Sequence, residues 1–180
     1  MRWQFEPAHT IVQASAKHMM FTTVRVNFKG TRGEIEYEPG SPERAWVTLS
    51  VPADSLLSND DRRDGHLKSA DFLDVANHPE ITFKSTRVQA AGENLYKVAG
   101  DLAIRGTTKP ATVDVLLHGI YEDSRTGQRA FLDASVTIDR REWGLVWNMP
   151  VPQGLLVSNE VVIEFSVEAV PAEQGGTPAA

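Results

Sequence analysis

NDDRRDGHLKSADFLDVANHPEITF, running from Asn59 to Phe83, is the one stretch of the chain where β-type alternation stops. Charges, imidazoles and aromatics crowd into it, and what lies on either side reads as strands. Ser58 with Asp61 three positions later forms a capping-box pattern. Asn59 and Asp60 can accept from the same N-terminal N–H groups, so a short helix starts near Asp60. Ser69, Asp71 and Phe72 read as a second helical turn, leaving Leu67, Phe72, Leu73 and Val75 as the apolar face of a lid. Asn77-His78-Pro79 then forces an extended exit. Taken singly these residues read as structure, with Arg63 and Asp64 as an ion pair and His66 as a satisfied partner at a helix end.

Upstream, Val12, Ala14 and Ala16 share one face before Lys17-His18-Met19-Met20-Phe21 interrupts as a single helical turn or loop. Val24, Val26 and Phe28 then alternate with Arg25, Asn27 and Lys29, and Gly33, Ile35 and Tyr37 with Glu34, Glu36 and Glu38. Val47, Leu49 and Val51 complete the upstream pattern. Downstream, Ile81 and Phe83 open a strand, and Tyr96, Val98, Gly100, Leu102 and Ile104 make the cleanest alternation. After a turn over Gly106 to Pro110 come Val113, Val115 and Leu117, then Leu132, Ala134, Val136 and Ile138. The segment Arg140 to Asn159 is irregular, and Val161, Ile163, Phe165 and Val167 supply the last strand. Period 2 throughout, with hairpin-length turns, makes an all-β chain with a short helical insertion. An antiparallel barrel and a sandwich both hide sheet edges and both fit. Gly33 and Gly100 fall on the inward parity, which reads as spare interior volume.

With 180 residues and no shift in composition, the chain reads as one domain over residues 1–170. A tail from Pro171 to Ala180, mainly Ala, Gly and Pro, is expected to be disordered. The 24 acidic and 18 basic side chains give a formal charge of −6, which argues against a nucleic-acid partner. Absence of cysteine excludes disulfides, thiolate zinc sites and cysteine nucleophiles. His18, His66, His78 and His118 are too scattered for a metal-ligand spacing. Asp64, His66 and Ser69 lie close in sequence, yet no nucleophile elbow or glycine-flanked serine accompanies them, so a hydrolase using His66 is the minor alternative. No apolar run is long enough to span a bilayer, and no apolar segment of signal-peptide type follows Arg2; a cytoplasmic location is the expectation.

Several motifs in order carry a resemblance: His9-Thr10 with Lys17-His18-Met19, Asn59 with Arg63-Asp64-Gly65-His66-Leu67-Lys68-Ser69 and Asp71-Phe72, and Pro79-Glu80-Ile81-Thr82-Phe83-Lys84-Ser85. Gly100-Asp101-Leu102-Ala103-Ile104-Arg105-Gly106-Thr107-Thr108-Lys109-Pro110 and Arg140-Arg141-Glu142-Trp143-Gly144-Leu145 continue the set. From about Trp3 to Val170 the chain resembles the YceI-like, polyisoprenoid-binding family. It departs from that pattern at Glu6-Pro7-Ala8-His9, at Val26 and at Ala103, and the export signal of many periplasmic relatives is not expected from MRWQFEPAHT.

The resemblance implies an antiparallel eight-stranded lipocalin-like β-barrel that holds a long-chain isoprenoid or related lipid as carrier, store or sensor. A homodimer is a further expectation from it, and no cofactor is expected besides the lipid ligand. The residues assigned to the apolar wall are Val24, Phe28, Ile35, Val47, Leu49, Phe83, Val98, Leu102, Val113, Val115, Val136, Ile163 and Phe165. Those assigned to the polar mouth are His18, Arg63, His66 and Asn148, with Phe21, Phe72, Trp143 and Trp147 gating it. If the head group is a diphosphate, Arg63 and a helix N-terminus are its natural partners. An apolar tube reads length and girth better than chemical identity, so a quinone, fatty acid or fatty amide is the competing cargo, and a merely filled barrel used as an interaction module is a further reading.

Overall fold

The structure is a computed structural model that describes residues 1–172. The disordered tail expected from the sequence therefore falls, over residues 173–180, outside the described residues. Its first residue, Pro171, ends the last strand.

Among the described residues twelve strands form: β1 (Arg2–Phe5), β2 (Ile11–His18), β3 (Thr22–Phe28), β4 (Arg32–Glu36), β5 (Trp46–Pro52), β6 (Glu80–Gly92), β7 (Leu95–Ile104), β8 (Thr107–Asp123), β9 (Gly127–Asp139), β10 (Pro150–Val151), β11 (Gly154–Leu155) and β12 (Glu160–Pro171). The one α-helix among the described residues, α1, spans Asp61–Lys68. β1 and β2 are halves of one stave broken by a 3-10 turn at Pro7–His9, and β3 and β4 are halves of the next. Their common register shows this, because Val12 pairs with Phe28 and, further down, Gln4 pairs with Glu34. The staves then run β5, β6, β7, β8, β9 and β12, and β12 returns to both β1 and β2. Every neighbour is antiparallel, so the sheet closes into an eight-stave barrel, as the resemblance implies, and leaves the sandwich aside.

The inward residues are apolar, and one row across five of the eight staves shows it. Val115 faces Ala134, Ala134 faces Phe165, Phe165 faces Val12 and Val12 faces Phe28. The upper end of the barrel carries α1, the β2–β3 turn and the segment 140–159. The lower end carries the loop 37–45 and the β6–β7 and β8–β9 turns.

Four local readings are corrected. Gly33 and Gly100 do not leave spare volume: a Cβ there would stand 2.5 Å from the ring of Phe5 and of Phe83 respectively, so each aromatic already fills the space above its glycine. Pro110 lies inside β8, paired with Asp101, and the turn is only Arg105-Gly106. A proline is tolerated there because β9 joins β8 only from Asp114 onward, leaving that stretch an edge. Strand β1, absent from the alternation read above, is carried by Trp3 and Phe5. The segment 17–21 is no helical turn either, since β2 continues to His18 and Met19-Met20 turn the hairpin, both at positive φ (50° and 71°). That conformation costs a non-glycine residue roughly 1–2 kcal/mol, and Asn-Gly is its usual occupant.

Candidate ligand-binding site

Inside the barrel lies a cavity of about 980 Å³ whose lining is almost wholly apolar. All thirteen wall residues assigned from the sequence line it, as the inward parity of their strands requires. Trp3 and Phe5 form its lower floor, packed with Ala130, Val167 and Ala169. Near the floor the Tyr37 and Tyr96 hydroxyls hydrogen-bond at 2.9 Å, with the rings edge to face. Burial first, and then the Tyr96 hydroxyl, pushes the Tyr37 phenol up to about 12.

The cavity reaches solvent at the upper end, where Lys17, His18, Asp60 and Arg62 both line it and stand exposed. Helix α1 supplies three of the mouth residues. Asp60, not Ser58, caps it by accepting from the Arg63 N–H at 3.0 Å. Ser58 instead anchors the helix from below, for its N–H and Oγ–H both donate to the buried Asp64 carboxylate. Arg63 Nε and Nη2 donate to the Ser58 hydroxyl and carbonyl at 2.8 and 2.9 Å. Arg63 and Asp64 are thus joined through Ser58 rather than as a direct ion pair. Asp60 and Asp61 already occupy the first turn, so the helix N-terminus is not open to a diphosphate. Beyond the helix, Ser69 to Asn77 make successive turns, and the turn read at Ser69, Asp71 and Phe72 is there as a single one, with the Phe72 N–H on the Ser69 carbonyl.

Three aromatic groups meet above the cavity. The His66 ring stands edge-on to Phe72 at 5.1 Å and to Trp147 at 4.5 Å, and its Nε2 lies 2.9 Å from Asp71 Oδ2. Arg140, 4% exposed, positions Trp147: its guanidinium donates to the carbonyls of Ser158, Leu145 and Trp147 and faces the Phe72 ring. Burial pushes the Arg140 pKa down, and Asp139 beside it opposes that shift.

Of the mouth residues assigned from the sequence, His18, Arg63, His66, Phe72 and Trp147 line the cavity. Three others stand elsewhere. Phe21 projects from the β2–β3 turn, 75% exposed. Trp143 is buried behind the wall because its indole N–H donates to the Leu102 carbonyl at 2.9 Å. Asn148 acts as a rung of sheet, with its Nδ2 donating to the Val157 carbonyl and its Oδ1 accepting from the N–H groups of Val157 and Met149.

Sequence reasoning missed Lys17, Arg62, Arg140 and the Tyr37–Tyr96 pair as site residues. For the tyrosines the signal was present, since both fall on the inward parity. The hydrolase alternative is not assembled: Asp64 serves Ser58, while the Ser69 hydroxyl donates to the His66 carbonyl rather than to its ring. Among the described residues, no three His, Asp or Glu side chains gather as a metal site. An apolar interior with its charged groups confined to one rim sorts an amphiphile, tail inward and head outward.

Known proteins share this architecture. The chain is 34% identical over 140 residues to a UPF0312 protein of Pseudomonas putida (strain W619), covering 78% of this chain and 73% of the relative. It is 32% identical over 150 residues to a UPF0312 protein of Pseudomonas syringae pv. tomato, covering 83% and 78%. In fold it is similar to Burkholderia cenocepacia BcnA, with a TM-score of 0.80 at 22% identity over 92% of this chain and 99% of that one. It is also similar to a polyisoprenoid binding domain from Saccharophagus degradans, with a TM-score of 0.66 at 15% identity over 94% and 98%. The YceI-like domain pattern matches residues 3–169, almost the whole barrel, and the chain belongs to the YceI-like family.

Proposed function

We propose that the protein binds a long-chain isoprenoid or a related lipid, its tail along the cavity and its polar end at the rim of α1, Lys17 and His18. The observation that carries this is the cavity itself: about 980 Å³ of apolar space with charge at one end only. If each carbon group takes the ~30 Å³ of a liquid water, the space admits on the order of thirty of them. Each buried methylene contributes about 0.8 kcal/mol gross, so a few prenyl units exceed the ordering cost of binding. A fold neighbour described as a polyisoprenoid binding domain lends support at the level of the family. Binding rather than catalysis is further supported by the structural employment of Asp64 and Ser69.

The test is native mass spectrometry of the purified protein, followed by organic extraction of whatever it holds. A stoichiometric prenyl lipid is the expected result, while a quinone, fatty acid or fatty amide would replace the cargo and keep the carrier. Ala134→Trp, placed mid-wall between Val115 and Phe165, should fold and lose uptake; a folded variant that carries full lipid overturns the interior site.

A further inference from the structure

The apolar surface of the upper end continues outward from the cavity. Met19 and Met20, held in a turn conformation unfavourable to both, project with Phe21 from the β2–β3 tip. The Met19 N–H donates to the Leu156 carbonyl at 2.8 Å, and the Leu156 N–H to the Met149 carbonyl at 2.9 Å, which sets this tip against the small β10–β11 hairpin. Met20 packs beside Gly154 in that hairpin. Met149 and Leu155, both exposed, therefore extend the same rim. Clustered apolar exposure of this kind marks an interaction surface.

The charge lining the mouth beside it is mostly cationic. Lys17, Arg62 and Arg63 line the mouth, and among the described residues none of them has a carboxylate within ion-pair distance. The one carboxylate in the lining, Asp60, is taken up by the start of α1. This local cationic rim stands in a chain of net charge −6.

We infer that the rim docks on an anionic phospholipid bilayer. Met19, Met20, Phe21 and Met149 enter the interface, and Lys17 and Arg62 meet the headgroup phosphates. A second copy fits less well, since a two-fold mouth-to-mouth contact would set the same cations against each other. The purpose of docking rests on the lipid-binding reading, because the cargo then passes between bilayer and barrel without crossing water. The docking itself rests on the rim.

The experiment is flotation of the full chain with vesicles of phosphatidylcholine alone and of phosphatidylcholine mixed with phosphatidylglycerol, with bound lipid and oligomeric state measured on the same samples. The wild type should float with the anionic vesicles, and added salt should weaken this. K17E together with R62E should lower partitioning roughly tenfold or more. M20S together with F21S should also lower it, while Y121S at the opposite end should leave it unchanged. Failure of the wild type to float, rim variants that float as well as wild type, or rim variants that turn a dimer into a monomer would each overturn the proposal. A lipid-loaded protein that does not float overturns docking alone. A protein that floats yet never acquires lipid keeps the docking surface and overturns the cavity reading instead.

Discussion

At the lower end Trp3, Phe5, Ala130, Val167 and Ala169 close into a packed cluster, whereas at the upper end His66, Phe72 and Trp147 meet around an opening lined by Lys17, His18, Asp60 and Arg62. Both ends are built on the same period-2 strands. The lower one closes because large rings stand beside small residues, with Phe5 filling the space over Gly33. The upper one stays open because its rim carries charges that must keep their water. The helix is held there by its buried Asp64, which accepts from the Ser58 N–H and hydroxyl, and by Arg63, which donates to the Ser58 hydroxyl and carbonyl. An apolar interior does not decide whether a barrel is filled; the side chains and segments at its ends do.

The sharpest way to break this contrast is Phe5→Ala. It should remove about 3–5 kcal/mol of stability, as large-to-small changes in a packed core do, and extend the cavity downward so that a longer chain enters. Urea unfolding and the chain length of bound lipid check both, and a loss under ~0.5 kcal/mol, the range of surface changes, would show that the floor is not packed.

Asp64→Ala tests the upper end. Leaving the Ser58 N–H and hydroxyl without their acceptor should cost about 1–3 kcal/mol, and amide exchange should rise in α1 first. Asp64→Asn, which keeps an acceptor oxygen, should recover part of the loss. Equal exchange in α1 and in the barrel strands of Asp64→Ala would mean that the helix is not separately anchored.

The smallest effect lies in alkali. Tyr37 has its phenol raised from 10.0 to about 12, by burial first and by Tyr96 second, so the folded state keeps the proton that the unfolded state releases. That contribution to stability is whole below pH 10 and is lost as the pH climbs toward 12. Tyr96→Phe should move the Tyr37 titration part of the way back, since burial remains, and ultraviolet titration of the tyrosinate reads the shift. An unchanged titration would remove the hydroxyl pair from the floor.

The wall was legible in the residues because a strand's parity is also its facing. Val98, Leu102, Val113 and Phe165 needed no tertiary information to be assigned inward. The helix near Asp60 was legible from its run of capping residues, although Asp60 rather than the Ser58 of the capping box is the cap. Trp143 and Asn148 were misassigned for a shared reason: each directs its polar group to a backbone partner distant in sequence, Leu102 for one and Val157 for the other. Arg140 escaped because a motif tells that a cation is present, not that three carbonyls will enclose it.

By itself the sequence determined the period-2 staves, the capped helical insertion and the apolar character of the interior, since these are local consequences of residue type and spacing. Only the tertiary structure decided that β12 returns to β1 and β2, that Phe5 and Phe83 occupy the space over Gly33 and Gly100, and that Lys17 and Arg62 share one mouth. Those facts depend on strand order and on which distant side chain reaches a given space first, and neither is written in any local pattern.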